Sequence, residues 1–423
     1  MKTIAVVGLG YVGLPLALQF AKHFPVVGYD IQESKIEAYK NYVDPANEVS
    51  YEDFEAAYPN FEPTTDISKI SAADYVIVAM PTPVDENKSP DFTLLILATE
   101  EISGYIKEGS TVIYESTVNP GTTEERCIPV LERGSRMKWK EGFFVAYSPE
   151  RISPGDKAMP LVKLKKIVSG DTGTTLENVA QLYETIIEAG VYRAPSIAVA
   201  EAAKIVENIQ RDVNIALMNE LSVVFHTLGL DTNEVLDAAA SKWNFVNYRP
   251  GLVGGHCIGV DPYYLIKQAK DNHLLLPVIE GARTVNEYAP YFVWNELLYK
   301  LGYREKLQVA ILGLTFKENC KDIRNSKAFE LYRMFDDVAA NVYAYDPVAD
   351  AAEVMHEYGV TVTPFENIPK CDLVILVSPH SEWLAKNTQE IIDLTKDDGI
   401  FADIKGRINQ SSFKDASYKV WRM

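Results

Sequence analysis

The sequence predicts an α/β protein with two doubly wound domains, one at each end of the chain, joined by a long helix and a central helical domain. Three observations predict this arrangement: a strand that ends in a glycine-rich turn near the start, a second copy of that pattern near the end, and helical periodicity between them. At 423 residues the chain is also too long for a single hydrophobic core.

The first strand and its turn form a dinucleotide-binding fingerprint. Ile4-Ala5-Val6-Val7 is typical of a buried strand, and Leu14 to Phe24 continues as an apolar helix. The glycines between them permit a tight turn and let the backbone approach a pyrophosphate at the helix N-terminus. The spacing alone is a weak signal, but the strand-turn-helix context is complete. We therefore expect a cofactor to bind at Gly8, Gly10, Tyr11, Val12 and Gly13.

The second strand indicates which cofactor binds. Val26-Val27-Gly28-Tyr29 ends on Asp30, about 20 residues past the glycines, where a carboxylate can accept hydrogen bonds from the adenosine ribose. No arginine directly follows Asp30 to receive a 2′-phosphate, so NAD is favoured over NADP. Lys35 leaves NADP open as an alternative.

Composition excludes several other classes of protein. The uncharged stretch from Thr3 to Ala21 could be a signal peptide or anchor, but the glycine spacing and Asp30 argue against this, and we expect a soluble, cytoplasmic protein. A net charge of −18 disfavours a nucleic-acid binder. The four cysteines show no C-x-x-C spacing, so we expect neither a metal site nor disulfides.

The pattern of the first domain is repeated near the C-terminus. Gln308 to Gly313 is again a strand that ends on glycine, and Asn341 to Asp346 repeats the Tyr-Asp strand ending. Both ends are therefore expected to be Rossmann-like, the second binding a different nucleotide or persisting only as a packing relic. The predicted domains are 1–195 (NAD binding), 196–300 (helical, dimerisation, with the cysteine loop) and 301–423 (Rossmann-like).

Between the two ends, one long helix is predicted to bridge the domains. Its apolar face also suits a dimer interface, although core packing would leave the same stripe. Glu201, Lys204, Asn208 and Asp212 share one face of this helix. On pattern alone, a solvated face with ordinary ion pairs is the favoured interpretation, but the cysteine loop downstream changes that weighting.

A glycine-rich loop downstream presents one cysteine. Arg249 to Cys257 contains Gly251, Gly254 and Gly255, and Asp261 follows four residues after the cysteine. Such a loop suits a backbone that approaches a bulky ligand while presenting a thiol, although a buried, inert cysteine is the usual alternative.

At this loop the whole chain resembles the nucleotide-sugar 6-dehydrogenases, which oxidise the C6 hydroxymethyl of a UDP-sugar to a carboxylate using two NAD. The resemblance rests on several motifs in order besides the glycine fingerprint. They are Pro81-Thr82-Pro83, Glu115-Ser116-Thr117-Val118, Tyr147-Ser148-Pro149-Glu150-Arg151, Lys204-x-x-x-Asn208, Gly254-Gly255-His256-Cys257, and Gly313-Leu314-x-Phe316-Lys317 with Asp322-x-Arg324.

The resemblance implies that domain 301–423 binds the UDP-sugar, and it implies roles for these residues. Cys257 would be the nucleophile, with Lys204, Asn208 and Asp261 around the reacting carbon, and Glu150 and Thr117 handling water or protons. An aldehyde cannot donate a second hydride directly, but its thiohemiacetal with Cys257 can, leaving a thioester. The other implied contacts are Pro81, Thr82, Thr117 and Arg324 for cofactor, and Glu150, Arg151, Lys204, Asn208, Arg249, Gly254, Gly255 and Lys317 for substrate, with Arg249 a candidate for donation by a partner subunit.

The substrate is a softer inference from the same resemblance. Tyr147 to Lys157 and Cys257 to Pro262 look like the branch that acts on UDP-N-acetylhexosamines, and Val260 stands where the UDP-glucose branch typically has a lysine. UDP-N-acetylglucosamine or UDP-N-acetylgalactosamine is expected, with a product destined for capsule or O-antigen. UDP-N-acetylmannosamine and UDP-glucose stay open, since Ser153 and Gly259 depart from the commonest form of the branch. More distant alternatives are a single-step hydroxy-acid dehydrogenase and a non-catalytic nucleotide-sugar-binding protein.

Overall fold

The structure, a computed structural model, describes residues 2–46, 48–85, 87–151, 160–413 and 417–423. The chain divides into two compact units. Unit 1 comprises Met1–Glu207 and Tyr263–Asn272, and unit 2 comprises Asn208–Pro262 and His273–Met423. Each unit contains a doubly wound sheet, as the sequence predicts.

The sheet of unit 1 has eight strands among the described residues, in the order β3-β2-β1-β4-β5-β6-β7-β8. All neighbouring strands are parallel except β6 and β7, which are antiparallel. The strand order reverses beside β1, and ligands of such sheets bind at that point, outside the carboxyl ends of the strands. The strands are β1 (Ile4–Val7), β2 (Val26–Tyr29), β3 (Phe61–Thr64), β4 (Tyr75–Val78), β5 (Ser110–Tyr114), β6 (Phe143–Tyr147), β7 (Lys166–Gly170) and β8 (Val191–Arg193).

Helices pack against this sheet and bury an apolar core. The first helix ends at Ala21, before the predicted end at Phe24. Phe24 precedes Pro25, and the residue before a proline is disfavoured in a helix. The helices are α1 (Gly13–Ala21), α2 (Glu33–Lys40), α3 (Tyr51–Ala57), α4 (Thr93–Ser103), α5 (Ile128–Ser135) and α6 (Gly173–Glu184).

Unit 2 contains an all-parallel sheet, in the order β10-β9-β11-β12-β13 among the described residues. The strands predicted from the internal repeat are confirmed: β9 and β10 begin at the expected residues and each ends one residue before the predicted end. The elements that follow the first sheet are α7 (Ile197–Leu228), α8 (Thr232–Ala240), α9 (Asp261–Asp271), α10 (Pro277–Leu301), β9 (Gln308–Leu312), α11 (Lys327–Asp336), β10 (Asn341–Tyr345), α12 (Ala351–Tyr358), β11 (Cys371–Leu376), α13 (Ser381–Asp393), β12 (Thr395–Asp403) and β13 (Lys419–Arg422).

The polar face of α7 is buried, contrary to the solvated face that the helical pattern alone favours. Glu201, Asn208 and Asp212 are fully buried, and Lys204 is 6% exposed. Helical periodicity groups residues on one face but does not reveal what covers that face, which explains the error. Among the described residues, no helix combines the length and apolarity needed to cross a membrane.

Candidate active site

The turn between β1 and α1 contains three glycines with different roles. Two of them are required by the fold, and the third is bordered by open space. Gly8 has a φ of +92°, and a Cβ there would lie 2.7 Å from the carbonyl oxygen of Ala79. A Cβ on Gly13 would lie 1.9 Å from the carbonyl oxygen of Gly8. A Cβ on Gly10 would meet no atom within 4 Å. Gly8 and Gly13 therefore shape the turn, whereas the space beside Gly10 is available to a ligand.

The start of α1 suits an anion. Tyr11 and Val12 connect the turn to the helix, and the N-cap residue Val12 makes no side-chain capping hydrogen bond. The first amides of the helix are thus not capped by that side chain, as expected where a pyrophosphate binds.

Asp30 directly follows β2 and is 8% exposed. Its Oδ2 accepts a hydrogen bond from the Leu9 amide at 3.1 Å, and its Oδ1 accepts one from the Gln32 amide at 3.0 Å. Lys35 Nζ lies 3.7 Å from Asp30 Oδ2. The carboxylate is therefore fixed beside the glycine turn, where an adenosine ribose would be bound, and the residues present fit NAD.

The loops that follow β4 and β5 are tied together. Thr82 Oγ1 donates to the Thr117 carbonyl at 2.7 Å, and the Met80 amide donates to Ser116 Oγ at 3.0 Å. The Tyr264 hydroxyl donates to the Thr82 carbonyl. These bonds place Pro81-Thr82 and Thr117 together at the carboxyl edge of the sheet, the edge at which ligands of such folds bind.

Glu150 and Lys204 are in direct contact in unit 1. Lys204 Nζ donates to the backbone carbonyl of Glu150 at 2.6 Å, and Glu150 is 8% exposed. The neighbouring Arg151 pairs instead with Glu207, with 2.7 Å between Nη2 and Oε1. Arg151 is therefore oriented by an ion pair within its own unit. The rest of the predicted substrate motif, residues 152–157 with Ser153, lies outside the described residues.

The cysteine loop of unit 2 holds Cys257 next to Asp261. The Cys257 carbonyl accepts hydrogen bonds from the amides of Val260, at 3.1 Å, and Asp261, at 2.8 Å. Asn208 Nδ2 donates to Asp261 Oδ2, and Arg211 donates to Asn208 Oδ1. Asp261 is 3% exposed, whereas Cys257 is partly exposed. The structure thus brings together three predicted catalytic residues: Cys257, Asp261 and Asn208.

The two glycines before the cysteine pack against the loop after β9. A Cβ on Gly254 would lie 2.6 Å from the Asn325 carbonyl oxygen, and one on Gly255 would lie 2.6 Å from the Phe316 ring. Asn325 Nδ2 donates to the Gly255 carbonyl at 2.9 Å. These glycines therefore have a packing role in unit 2, and their predicted substrate contact stays a prediction.

The charged residues beside this loop interact with one another. Arg324 Nη2 donates to Asp322 Oδ2 at 2.5 Å, and His256 Nδ1 lies 3.4 Å from the same oxygen. Burial alone would raise the pKa of Asp322, but the bonds from Arg324 outweigh it and the pKa is lowered. Lys317 lies in the same loop, where its carbonyl accepts from Thr315 Oγ1 at 2.9 Å. A carboxylate held ionised keeps Arg324 anchored near the cysteine loop.

Arg249 is held within unit 2. Its Nη2 donates to Asp237 Oδ1 at 2.6 Å, and its Nη1 donates to the Asn233 carbonyl at 3.2 Å. Its side chain is 29% exposed. Substrate binding by Arg249 would require a change in these bonds, so its role stays a prediction.

The remaining cysteines lie in the core. Cys127 and Cys371 are fully buried and Cys320 is 6% exposed. Burial raises the pKa of Cys127 and of Cys371 to about 12. All four cysteines are thiols in the structure. Buried thiols with such pKa values are inert at neutral pH, whereas the Cys257 side chain is partly exposed.

Comparison with known proteins agrees with this geometry. Three domains of one family match the chain in order: the NAD binding domain over residues 2–187, the central domain over 198–288 and the UDP binding domain over 310–410. The chain belongs to the UDP-glucose/GDP-mannose dehydrogenase family. As a member of this family, it is an NAD-dependent UDP-sugar dehydrogenase with a UDP-binding domain.

Individual members of the family match over the full length. CapL of Staphylococcus aureus is 45% identical, covering 100% of both chains. The UDP-N-acetyl-D-glucosamine 6-dehydrogenase of Pseudomonas aeruginosa is 44% identical over 95% of this chain and 96% of that one. The structure of UDP-D-ManNAc dehydrogenase from Pyrococcus horikoshii superposes with a TM-score of 0.88 at 28% identity, covering 99% of both chains.

Sequence reasoning missed three buried residues next to the predicted site: Lys166, Tyr183 and Tyr264. Tyr264 is fully buried and its ring packs edge-on against Phe92, with 5.8 Å between centroids. A tyrosine in an amphipathic helix gives no signal of its own. Lys166 could have been noticed, because it is a charged residue at the start of the apolar strand Ile167-Val168.

Proposed function

We propose that this dehydrogenase oxidises the C6 hydroxymethyl of a UDP-N-acetylhexosamine, UDP-N-acetylglucosamine or UDP-N-acetylgalactosamine, to the corresponding uronate for surface polysaccharide synthesis. The 44% identity to the Pseudomonas aeruginosa enzyme supports the substrate, and the 45% identity to CapL supports the polysaccharide role. The observation that carries the chemistry is the turn that holds Cys257 beside Asp261, with Asn208 donating to the Asp261 carboxylate.

The first half of the reaction needs a base and a group that stabilises negative charge on the C6 oxygen. Asp261 takes the proton of the C6 hydroxyl, and Lys204 stabilises the developing oxygen charge. NAD, when bound, supplies the hydride acceptor for this oxidation and for the second one. Asn208 orients Asp261 through its hydrogen bond, so the base keeps its position as it gains the proton.

The second half proceeds through the thiol. The Cys257 sulfur bonds to the aldehyde carbon, giving a thiohemiacetal whose oxygen Lys204 stabilises. Oxidation of that carbon leaves a thioester on Cys257. Water then adds to the thioester carbonyl with loss of a proton to Glu150, the carbon–sulfur bond breaks, and the thiol is restored with release of the carboxylate. Thr117 assists in placing the water.

The test is the yield of NADH per UDP-sugar consumed, measured to completion for the wild type, Cys257→Ala and the control Cys371→Ala. We expect two NADH from a UDP-N-acetylhexosamine with the wild type and the control, and no carboxylate from Cys257→Ala. One NADH per sugar, or full activity of Cys257→Ala, would refute the thioester route. Parallel assays with UDP-glucose and UDP-N-acetylmannosamine separate the four candidate substrates.

We further propose that segments 1–195, 196–300 and 301–423 are the NAD-binding, helical and UDP-sugar-binding domains, and that the protein forms a homodimer or a larger homo-oligomer. Leu217, Val224 and Leu228 support association, because they are 48%, 46% and 64% exposed and share one side of α7. Sedimentation equilibrium should show that the Leu217→Glu variant dissociates to the monomer. The control, Glu220→Gln on the same helix, should keep the wild-type mass. An unchanged mass for Leu217→Glu would remove this surface from the interface.

We also infer that the enzyme acts in the cytoplasm. Its four cysteines are thiols, the form favoured in a reducing compartment. Cell fractionation followed by detection of the protein would test this, and recovery outside the cytoplasmic fraction would contradict it.

A further inference from the structure

A buried ion pair lies next to Glu150 in unit 1. Glu115 directly follows β5 and Lys166 begins β7; their side chains are 0% and 2% exposed, and the Lys166 ammonium donates to Glu115 Oε2. The hydroxyl of Tyr183, on α6, donates to the other carboxylate oxygen, Oε1. Both oxygens of one carboxylate thus have buried donors, although these residues belong to three separate elements.

Stability alone is a weak reason for such a pair. Removing two charges from water costs free energy that their attraction barely offsets, and well-packed apolar residues of similar size are often as stable or more stable. Burial raises the pKa of the Glu115 carboxyl, and Lys166 opposes that shift. Stability therefore does not account for the pair, and the other hydrogen bonds of Glu115 and Lys166 become the relevant ones.

Each member of the pair also binds the backbone at Glu150. Lys166 Nζ donates to the carbonyl of Pro149 at 3.0 Å. The backbone carbonyl of Glu115 accepts from the Glu150 amide at 3.4 Å. The Glu150 carbonyl in turn accepts from Lys204 Nζ at 2.6 Å. The Pro149-Glu150 backbone is thus held at three successive polar groups, one of them by the Lys204 ammonium.

We propose that Glu115 and Lys166 are positioning residues for the dehydrogenase reaction. The ion pair fixes the Pro149-Glu150 backbone, and that backbone sets the place of the Glu150 carboxylate and of the Lys204 ammonium. The inference rests on the proposed function, in which these two groups activate water and stabilise the oxyanion. Neither Glu115 nor Lys166 is assigned a contact with substrate. Tyr183 holds the carboxylate in the orientation that Lys166 requires.

The decisive comparison uses the single variant Lys166→Met and the double variant Glu115→Gln/Lys166→Met. The single variant leaves a buried carboxylate without its cation, so we expect a lower melting temperature as well as lower activity. The double variant removes both charges at similar volume, so we expect the melting temperature to return towards that of the wild type. Because the Pro149 carbonyl still lacks its donor, kcat should stay at least tenfold below wild type, with the KM for NAD within twofold.

Two further measurements distinguish positioning from a structural role. Slowed hydrolysis should make the acyl thioester on Cys257 accumulate in the double variant, which intact-protein mass spectrometry detects. Arg193→Met, which removes exposed ion pairs with Glu177 and Glu184 in the same unit, is the matched control and should leave kcat unchanged. A double variant with wild-type kcat and no thioester would overturn the proposal. If the wild type yields no second NADH, both the proposed function and the positioning role are wrong. If the wild type yields two NADH and the double variant is fully active, only the positioning role is wrong.

Discussion

Replacing Gly10 by alanine tests the cofactor site without disturbing the fold. A Cβ at this position meets no atom within 4 Å, and its backbone does not have a positive φ. We therefore expect the free energy of unfolding of Gly10→Ala, measured without NAD, to stay within about 1 kcal/mol of wild type. If the open space receives the pyrophosphate, the added methyl overpacks it by roughly 1–3 kcal/mol, which raises the Kd for NAD about 5- to 150-fold.

Gly13→Ala should show the opposite behaviour. Its Cβ would lie 1.9 Å from the Gly8 carbonyl oxygen, a backbone atom that cannot move aside without disrupting the turn. The gain in helix propensity of about 1 kcal/mol does not offset such a clash. We expect the melting temperature of Gly13→Ala to fall even when NAD is absent, because the defect is in the fold.

The assay combines urea unfolding of the apo protein with calorimetric titration of NAD. Gly173→Ala is the matched control, since Gly173 begins α6 in the same unit and its Cβ would also meet no atom within 4 Å. The control should keep both stability and NAD affinity. Wild-type affinity of Gly10→Ala for NAD would refute the placement of the pyrophosphate beside Gly10.

Two further predictions follow from the pKa shifts. Burial alone would raise the pKa of Glu318, but Lys405 and Arg407 outweigh burial and lower the pKa to about 2. The charge of Glu318 therefore stabilises the fold above pH 4.5, and this contribution is lost as the pH falls towards 2. Glu318→Gln should therefore cost up to about 3 kcal/mol at pH 7, and the gap between its melting temperature and that of wild type should narrow from pH 7 to pH 3; a constant gap would contradict the shift. Iodoacetamide at pH 8 should alkylate Cys257 and spare Cys371, because burial raises the pKa of the Cys371 thiol to about 12. Peptide mass spectrometry that finds Cys371 modified first in the native protein would contradict this prediction.

The sequence was sufficient to predict both doubly wound sheets, because hydrophobic strands and glycine turns are local signals. It was also sufficient to place Cys257 and Asp261 together, since they are four residues apart. The pairing of Glu115 with Lys166 could not be predicted, because these residues are 51 positions apart and only the packing of β5, β6 and β7 brings them together. The burial of the polar face of α7 was missed for the same reason.

The two sheets also show why an internal repeat predicts a fold better than it predicts a ligand. Asp346 directly follows β10 as Asp30 directly follows β2. Asp346 Oδ2 accepts a hydrogen bond from the Leu314 amide at 2.6 Å, as Asp30 Oδ2 does from the Leu9 amide. The same oxygen of Asp346 also lies 3.0 Å from His380 Nε2, and this carboxylate is completely buried. A carboxylate whose oxygen is already engaged by a buried histidine offers little to ribose hydroxyls. The repeated aspartate therefore anchors the turn in both units, whereas the contact with His380 makes the second turn unlike the turn beside Asp30.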